Sequence, residues 1–233
     1  MSLTVRPGSS RGKEAIDWLD SRHSFSFGHY YDPAHMGFRT LRVINEDVVR
    51  GGAGFPTHGH RDMEIITYMV RGAIAHRDST GAAGVLRRGD VQAMTAGTGV
   101  RHSEINPEAG EDARFLQIWV LPERAGLKPA YRQAHFADAE KRNTLRPLIL
   151  PEGGEGILSV HQDVRLFASL LDPGARVSYE PAAGRGVWIQ VVDGHIRVAD
   201  TDLGAGDGAA LTDAGPIEMV AREAAEFLLF DLG

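Results

Sequence analysis

Short apolar runs separated by glycine and proline recur along the whole chain. Residues 64–70 (EIITYMV), 114–121 (RFLQIWVL), 187–192 (VWIQVV) and 226–232 (EFLLFDL) are rich in the β-branched and aromatic side chains that suit a pleated, buried surface. The 28 glycines and 11 prolines fall between such runs, where turns are needed. Helical patterns are confined to residues 13–19 (KEAIDWL) and 136–141 (FADAEK). Residues 217–229 have helical propensity, but apolar ends and a polar middle fit two strands joined at 222–225. The pattern therefore predicts an all-β protein with a few short helices.

The pattern also occurs twice. VRG at 70–72 returns as VDG at 192–194, each after an apolar strand, and GDVQAMT at 89–95 returns as GDGAALT at 206–212. The separations are similar, 17 residues from Gly72 to Gly89 and 12 from Gly194 to Gly206. A duplicated antiparallel unit is expected, with residues 1–122 as the first domain and 123–233 as a linker followed by the second. Antiparallel units that close into barrels bury the strand edges that would otherwise be exposed.

Composition narrows the chemistry. A length of 233 residues admits one large β domain or two of ordinary size, and 42% hydrophobic with 24% charged residues is typical of a globular chain. A formal charge of -6 argues against coating nucleic acid, which rests on a basic field. The first twenty residues lack the apolar core of a secretory signal and no stretch has membrane-spanning length, so a cytoplasmic protein without membrane contact is expected. No cysteine occurs, which removes disulfides, thiolate catalysis and cysteine-held metals. Any metal must be held by histidine and carboxylate.

Candidates for that role stand in two short motifs, HGH at 58–60 with Glu64 behind it, and HSE at 102–104. Residues two apart on a strand share a face, about 7 Å apart along the chain. His58 and His60 thus point one way, as do His102 and Glu104, and two such strands across a barrel interior bring three imidazoles and a carboxylate together. This donor set suits iron(II), and equally nickel, manganese, cobalt, copper or zinc. Ser103 points away from its neighbours, which rejects a Ser-His-Glu nucleophile. His76 and Asp78, in HRDSTG, read as hairpin stabilisers rather than ligands, and His161 as structural. Phe55, Met63 and Gln117 are candidates for lining a pocket.

Residues 52–72 (GAGFPTHGHRDMEIITYMVRG) resemble the first cupin motif, and 89–108 (GDVQAMTAGTGVRHSEINPE) resemble the second in its pirin form. The likeness continues through 115–122, 161–163 and 187–194, and is to the bacterial pirin-like proteins with quercetin 2,3-dioxygenase activity. It implies a bicupin with one divalent metal, usually iron, in the N-terminal barrel, held at His58, His60, His102 and Glu104. It also implies a flavonol-like aromatic substrate and dioxygen, opened to a depside and carbon monoxide, with Glu104 as proton acceptor. Two departures stand out. Ala93 replaces a tryptophan frequent in pirins, and Glu64 occupies the position that supplies the carboxylate ligand in many other cupins. Either glutamate could therefore be the fourth ligand, the other lying near as a hydrogen-bonding group. Carrying the repeat register without gaps places Glu180, Ala182, Met219 and Ala221 opposite the four ligands, so the second barrel is expected to lack metal. The alternative implied by the family is an iron-dependent regulatory protein, a transcription cofactor acting through a protein partner. A monomer is expected.

Overall fold

The structure is a computed structural model and describes residues 2–233. Among the described residues there are 21 β-strands, one short 3-10 turn at Gly8–Ser10 and one helical turn at Asp138–Lys141. The chain forms two compact units. The first comprises Gly12–His135 and Gly154–Gln162; the second comprises the segment ending at Arg11, Phe136–Gly153 and Asp163–Gly233.

The first unit is built from two antiparallel sheets. The seven-stranded sheet runs Ala130–His135, Asp90–Thr95, Glu64–Arg71, Ala113–Val120, Leu41–Val49, Leu19–His23, Gly12–Ile16. The four-stranded sheet runs Gly54–His60, Val100–Ile105, Ala73–Asp78, Ala83–Arg87. Val49, Met69 and Phe115 from the larger sheet pack with Ile74 and Leu86 from the smaller, all fully buried. Each such side chain removed from water stabilises the unit by about 1.5–3 kcal/mol. Residues 13–19, expected to be helical, instead end one strand and begin the next, paired from Gly12↔His23 to Ile16↔Leu19. A helix of seven residues is marginal on its own. The strand Leu19–His23 adds a ladder to the sheet and alternates buried with half-exposed positions, turning Leu19, Ser21 and His23 inward.

The second unit repeats this order. Its six-stranded sheet runs Ser2–Arg6, Gly208–Thr212, Gly186–Asp193, Ala225–Leu232, Val164–Leu171, Arg146–Ile149, and its four-stranded sheet runs Arg176–Tyr179, Ile217–Ala221, His195–Val198, Thr201–Gly204. The segment 217–229 is two strands, as the polar middle predicts. The repeated glycines have matching left-handed backbones, φ +69° at Gly72 and +74° at Gly194, +88° at Gly89 and +84° at Gly206. Strand pairing among the described residues groups each unit into two packed sheets, and no single ladder closes into a ring. The first strand, Ser2–Arg6, sits in the sheet of the second unit, whereas a boundary at residue 122 would assign it to the first.

Candidate metal centre

The strands Gly54–His60 and Val100–Ile105 are direct neighbours in the smaller sheet, with His58 opposite His102 and His60 opposite Val100. That register joins the two motifs. His102 Nε2 lies 2.9 Å from His60 Nε2 and 3.0 Å from His58 Nε2. His58 Nδ1 donates to the Pro56 carbonyl at 2.8 Å, which leaves its Nε2 lone pair facing the other two rings. The pairing shifts between His102 and Glu104, with one extra residue on the partner strand placing Glu104 opposite Phe55, and Glu104 Oε2 stands 3.9 Å from His102 Nε2. Glu104 is buried, and its Oε1 has no hydrogen-bond partner among the described residues. Close approach of the two strands requires Gly54, φ +156°, where a side chain would overlap the Glu104 carbonyl.

Burial governs the electrostatics. It holds His60 down at about 4 and His102 at about 3, helped by the neighbouring imidazoles, so both rings are neutral and offer lone pairs. Burial likewise pushes Glu104 up to about 8, and the nearby Asp47 carboxylate adds to the effect. Asp47 itself is pushed up to about 7 by burial, against the opposing hydrogen bond from the Ser21 hydroxyl.

Glu64, the competing carboxylate, is fully buried away from this cluster. Its Oε2 accepts from Thr95 Oγ1 at 2.9 Å, the His161 backbone also bonds to it, and burial pushes it up to about 7. Phe55 and Gln117 line the cavity beside the histidines, but Met63 does not. Met63 packs instead against the buried cluster of Ile65, Met94, Ala96 and Val100, because it lies in the connection before Glu64–Arg71, outside the strand alternation. Asp78 caps its turn as expected, with Oδ1 accepting from Thr80 and Ala82. His76 goes beyond hairpin support, since its ring is buried against His102 with centroids 5.2 Å apart.

A cavity of about 440 Å³ opens onto His58, His60 and Glu104, within the range of small-molecule sites. Its walls include Trp18, Phe27, Phe55 and Trp119, with Ser21, His23, Asn45, Asp47 and Gln117 as polar groups. Sequence reasoning missed Ser21, His23, Asn45 and Asp47. Asn45 and Asp47 interrupt the apolar face of Leu41–Val49 at a spacing of two, a signal that was available; the assignment of a helix at 13–19 concealed the others. Asn45, Gln117, Thr67 and Gln92 lie directly opposite one another, forming a buried polar belt across four strands. In the second unit the matching ladder positions of Thr67, Gln117 and Gln92 are Ile189, Leu229 and Ala209, all fully buried.

The histidine positions are replaced as well. Pairing places Val177 opposite Met219 and Tyr179 opposite Ile217, where the first unit has His58 with His102 and His60 with Val100. Register without gaps, which nominated Glu180 and Ala182, fails because the connection to the repeated glycine is longer: Val177 lies 17 residues before Gly194, and His58 lies 14 before Gly72. Tyr179 donates to Asp231, which also pairs with Arg185 at 2.5 Å.

Comparison with known proteins matches residues 4–120 to the Pirin family model and 148–232 to the quercetinase C-terminal cupin domain. A quercetin 2,3-dioxygenase of Escherichia coli strain K12 is 44% identical over 230 residues, covering 99% of this chain and 98% of that protein. The crystal structure of YhhW from Escherichia coli superposes with a TM-score of 0.96 at 42% identity, covering 100% of this chain and 98% of that one. A second structure, the bacterial pirin YhhW of Escherichia coli in complex with nickel(II), gives a TM-score of 0.94 at 42% identity and covers 99% of both chains. With the family model spanning half the chain and whole-length likeness at this identity, the chain belongs to the pirin family.

Proposed function

We propose that the protein is a metal-dependent dioxygenase of flavonol-like aromatics, with one divalent metal held by His58, His60, His102 and Glu104. The observation that carries this reading is the convergence of three Nε2 atoms beside buried Glu104 at the wall of the cavity. Three imidazoles aiming nitrogens at one point cannot all satisfy one another by hydrogen bonding. Nitrogens 2.9 and 3.0 Å apart are close enough to serve as donors to a single divalent ion. The unpartnered Glu104 Oε1 fits the same purpose. Glu64 also leaves one oxygen unpartnered, but it does not line the cavity, whereas Glu104 lines it and stands 3.9 Å from His102 Nε2.

When bound, the metal supplies positive charge that favours deprotonation of a substrate hydroxyl, and redox or Lewis-acid capacity toward dioxygen. The chain supplies the rest. The faces of Trp18, Phe55 and Trp119 suit a planar, fused ring, and Asn45, Gln117 and His23 suit its outlying hydroxyls. Glu104 takes the proton of the hydroxyl beside the ring carbonyl. A buried carboxylate at the cavity wall can serve as such a general base. Both atoms of dioxygen then enter the product as the ring opens to a depside and releases carbon monoxide. Enzymes named quercetin 2,3-dioxygenase among the relatives support this substrate class. The test is oxygen uptake and carbon monoxide release with quercetin after reconstitution with Fe(II), Ni(II) or Mn(II). Equal consumption of oxygen and flavonol is expected; a metal-loaded protein without flavonol-dependent uptake would favour a regulatory protein instead.

A further inference from the structure

We infer that His76 and Asp78 are positioning residues for His102, forming a buried chain that holds its ring in the one tautomer able to ligate through Nε2. This rests on the reading of His58, His60 and His102 as metal ligands. His102 Nδ1, on the side away from the cluster, lies 3.4 Å from His76 Nδ1, and His76 Nε2 lies 2.9 Å from Asp78 Oδ2. The ladder sets this up, with Asp78 opposite His102 and His76 opposite Glu104. Both imidazoles are 1% exposed, so bulk solvent does not compete as a partner.

Only one order of protons fits. A ligating Nε2 must be unprotonated, so the His102 proton sits on Nδ1 and is donated to His76 Nδ1. His76 then carries its own proton on Nε2 and donates it to Asp78 Oδ2. Asp78 cannot turn away, because its Oδ1 accepts from the Thr80 amide at 2.8 Å, the Thr80 hydroxyl at 2.6 Å and the Ala82 amide at 3.2 Å. Such outer partners fix the orientation of a ligating histidine and raise its basicity. His76, His102 and Glu104 also lie close enough to hold an ion by themselves. That grouping would need a nitrogen of His76, and both are engaged in the chain just described.

The second unit supplies an independent comparison. There Met219 stands in the ladder place of His102, and the places of His76 and Asp78 are taken by Ile196 and Val198, both fully buried. Where the donor is missing, its two supports are missing too.

Asp78→Asn tests the proton order. The three donors to Oδ1 require that atom to remain an oxygen, so the new amide nitrogen must face His76 Nε2. A donor there drives the His76 proton to Nδ1, where it meets the His102 proton. His76→Leu removes the acceptor altogether, whereas His76→Asn can return an amide oxygen near the Nδ1 position. Co(II) is the probe, read by competition affinity and by its visible absorption spectrum, with thermal melting to verify the fold. Asp78→Asn and His76→Leu are expected to weaken Co(II) binding by about 10- to 100-fold and shift the spectrum, and His76→Asn to recover most of the affinity. Affinities within twofold of the parent and an unchanged spectrum in both damaging variants would overturn the relay. Complete loss of Co(II) in His76→Asn as well would make His76 a ligand and overturn it too. A parent chain that binds no Co(II) would overturn the ligand reading itself, a result distinct from either.

Discussion

His58 and His102 are 44 residues apart in sequence, yet they stand opposite one another on neighbouring strands with their Nε2 atoms 3.0 Å apart. Removing either should abolish metal retention and leave the fold intact, since each unit has an apolar core of its own. Elemental analysis with circular dichroism of His58→Ala and His102→Ala checks this. One metal per parent chain is expected, and two tightly held equivalents would contradict a second unit without donors.

Glu104 and Glu64 separate by turnover at matched metal loading. Glu104→Gln keeps a weak oxygen donor but cannot take a proton, so flavonol-dependent oxygen uptake should fall by about 100- to 10,000-fold. Glu64→Gln alters a group held by Thr95 and the His161 backbone, and a loss of about 10-fold or less is expected. The reverse order would exchange their assignments.

Asp47 makes stability depend on pH in an unusual direction. Its folded value of about 7 exceeds the ordinary 3.8, so the folded state binds more protons and stability falls as pH rises from about 4 to about 7, then levels. Asp47→Asn escapes this loss. In metal-free protein the unfolding free energy of the variant, relative to parent, should climb across that window by no more than about 4 kcal/mol, read by chemical denaturation at each pH. A difference that is flat between pH 4 and 8 would refute it.

The polar belt has a cost of its own. Neither amide atom of Gln92 has a hydrogen-bond partner among the described residues, and an unpaired buried polar group costs about 1–3 kcal/mol. Gln92→Met, similar in volume, should therefore raise unfolding free energy by about 1 kcal/mol or more while impairing turnover, if the belt serves the cavity. Chemical denaturation alongside quercetin turnover measures both.

The strands, the duplication and the two histidine motifs could be read from residues 58–72, 89–104 and 192–212, because alternation and turn chemistry are local. The N-terminal hairpin could not. Lys13, Glu14 and Ala15 favour a helix locally, and only the ladder to Leu19–His23, itself paired with Leu41–Val49, overrides them. His76 escaped for a related reason: its partner His102 is 26 residues away, and only the register of two strands makes them neighbours. Met63 was misplaced because side chains in turns do not follow the alternation that orients those in strands.

Strand Ser2–Arg6 pairs with Gly208–Thr212 at the same sheet edge that Ala130–His135 occupies in the first unit. During synthesis at about 5–20 residues per second, the earliest strand must therefore wait roughly 10–40 s for its partner. Residues 12–135 can gather their own ladders in that interval. The second unit cannot be completed until Thr212 has been made, and a nascent chain stopped before Gly208 leaves Ser2–Arg6 as an unpaired edge open to other strands.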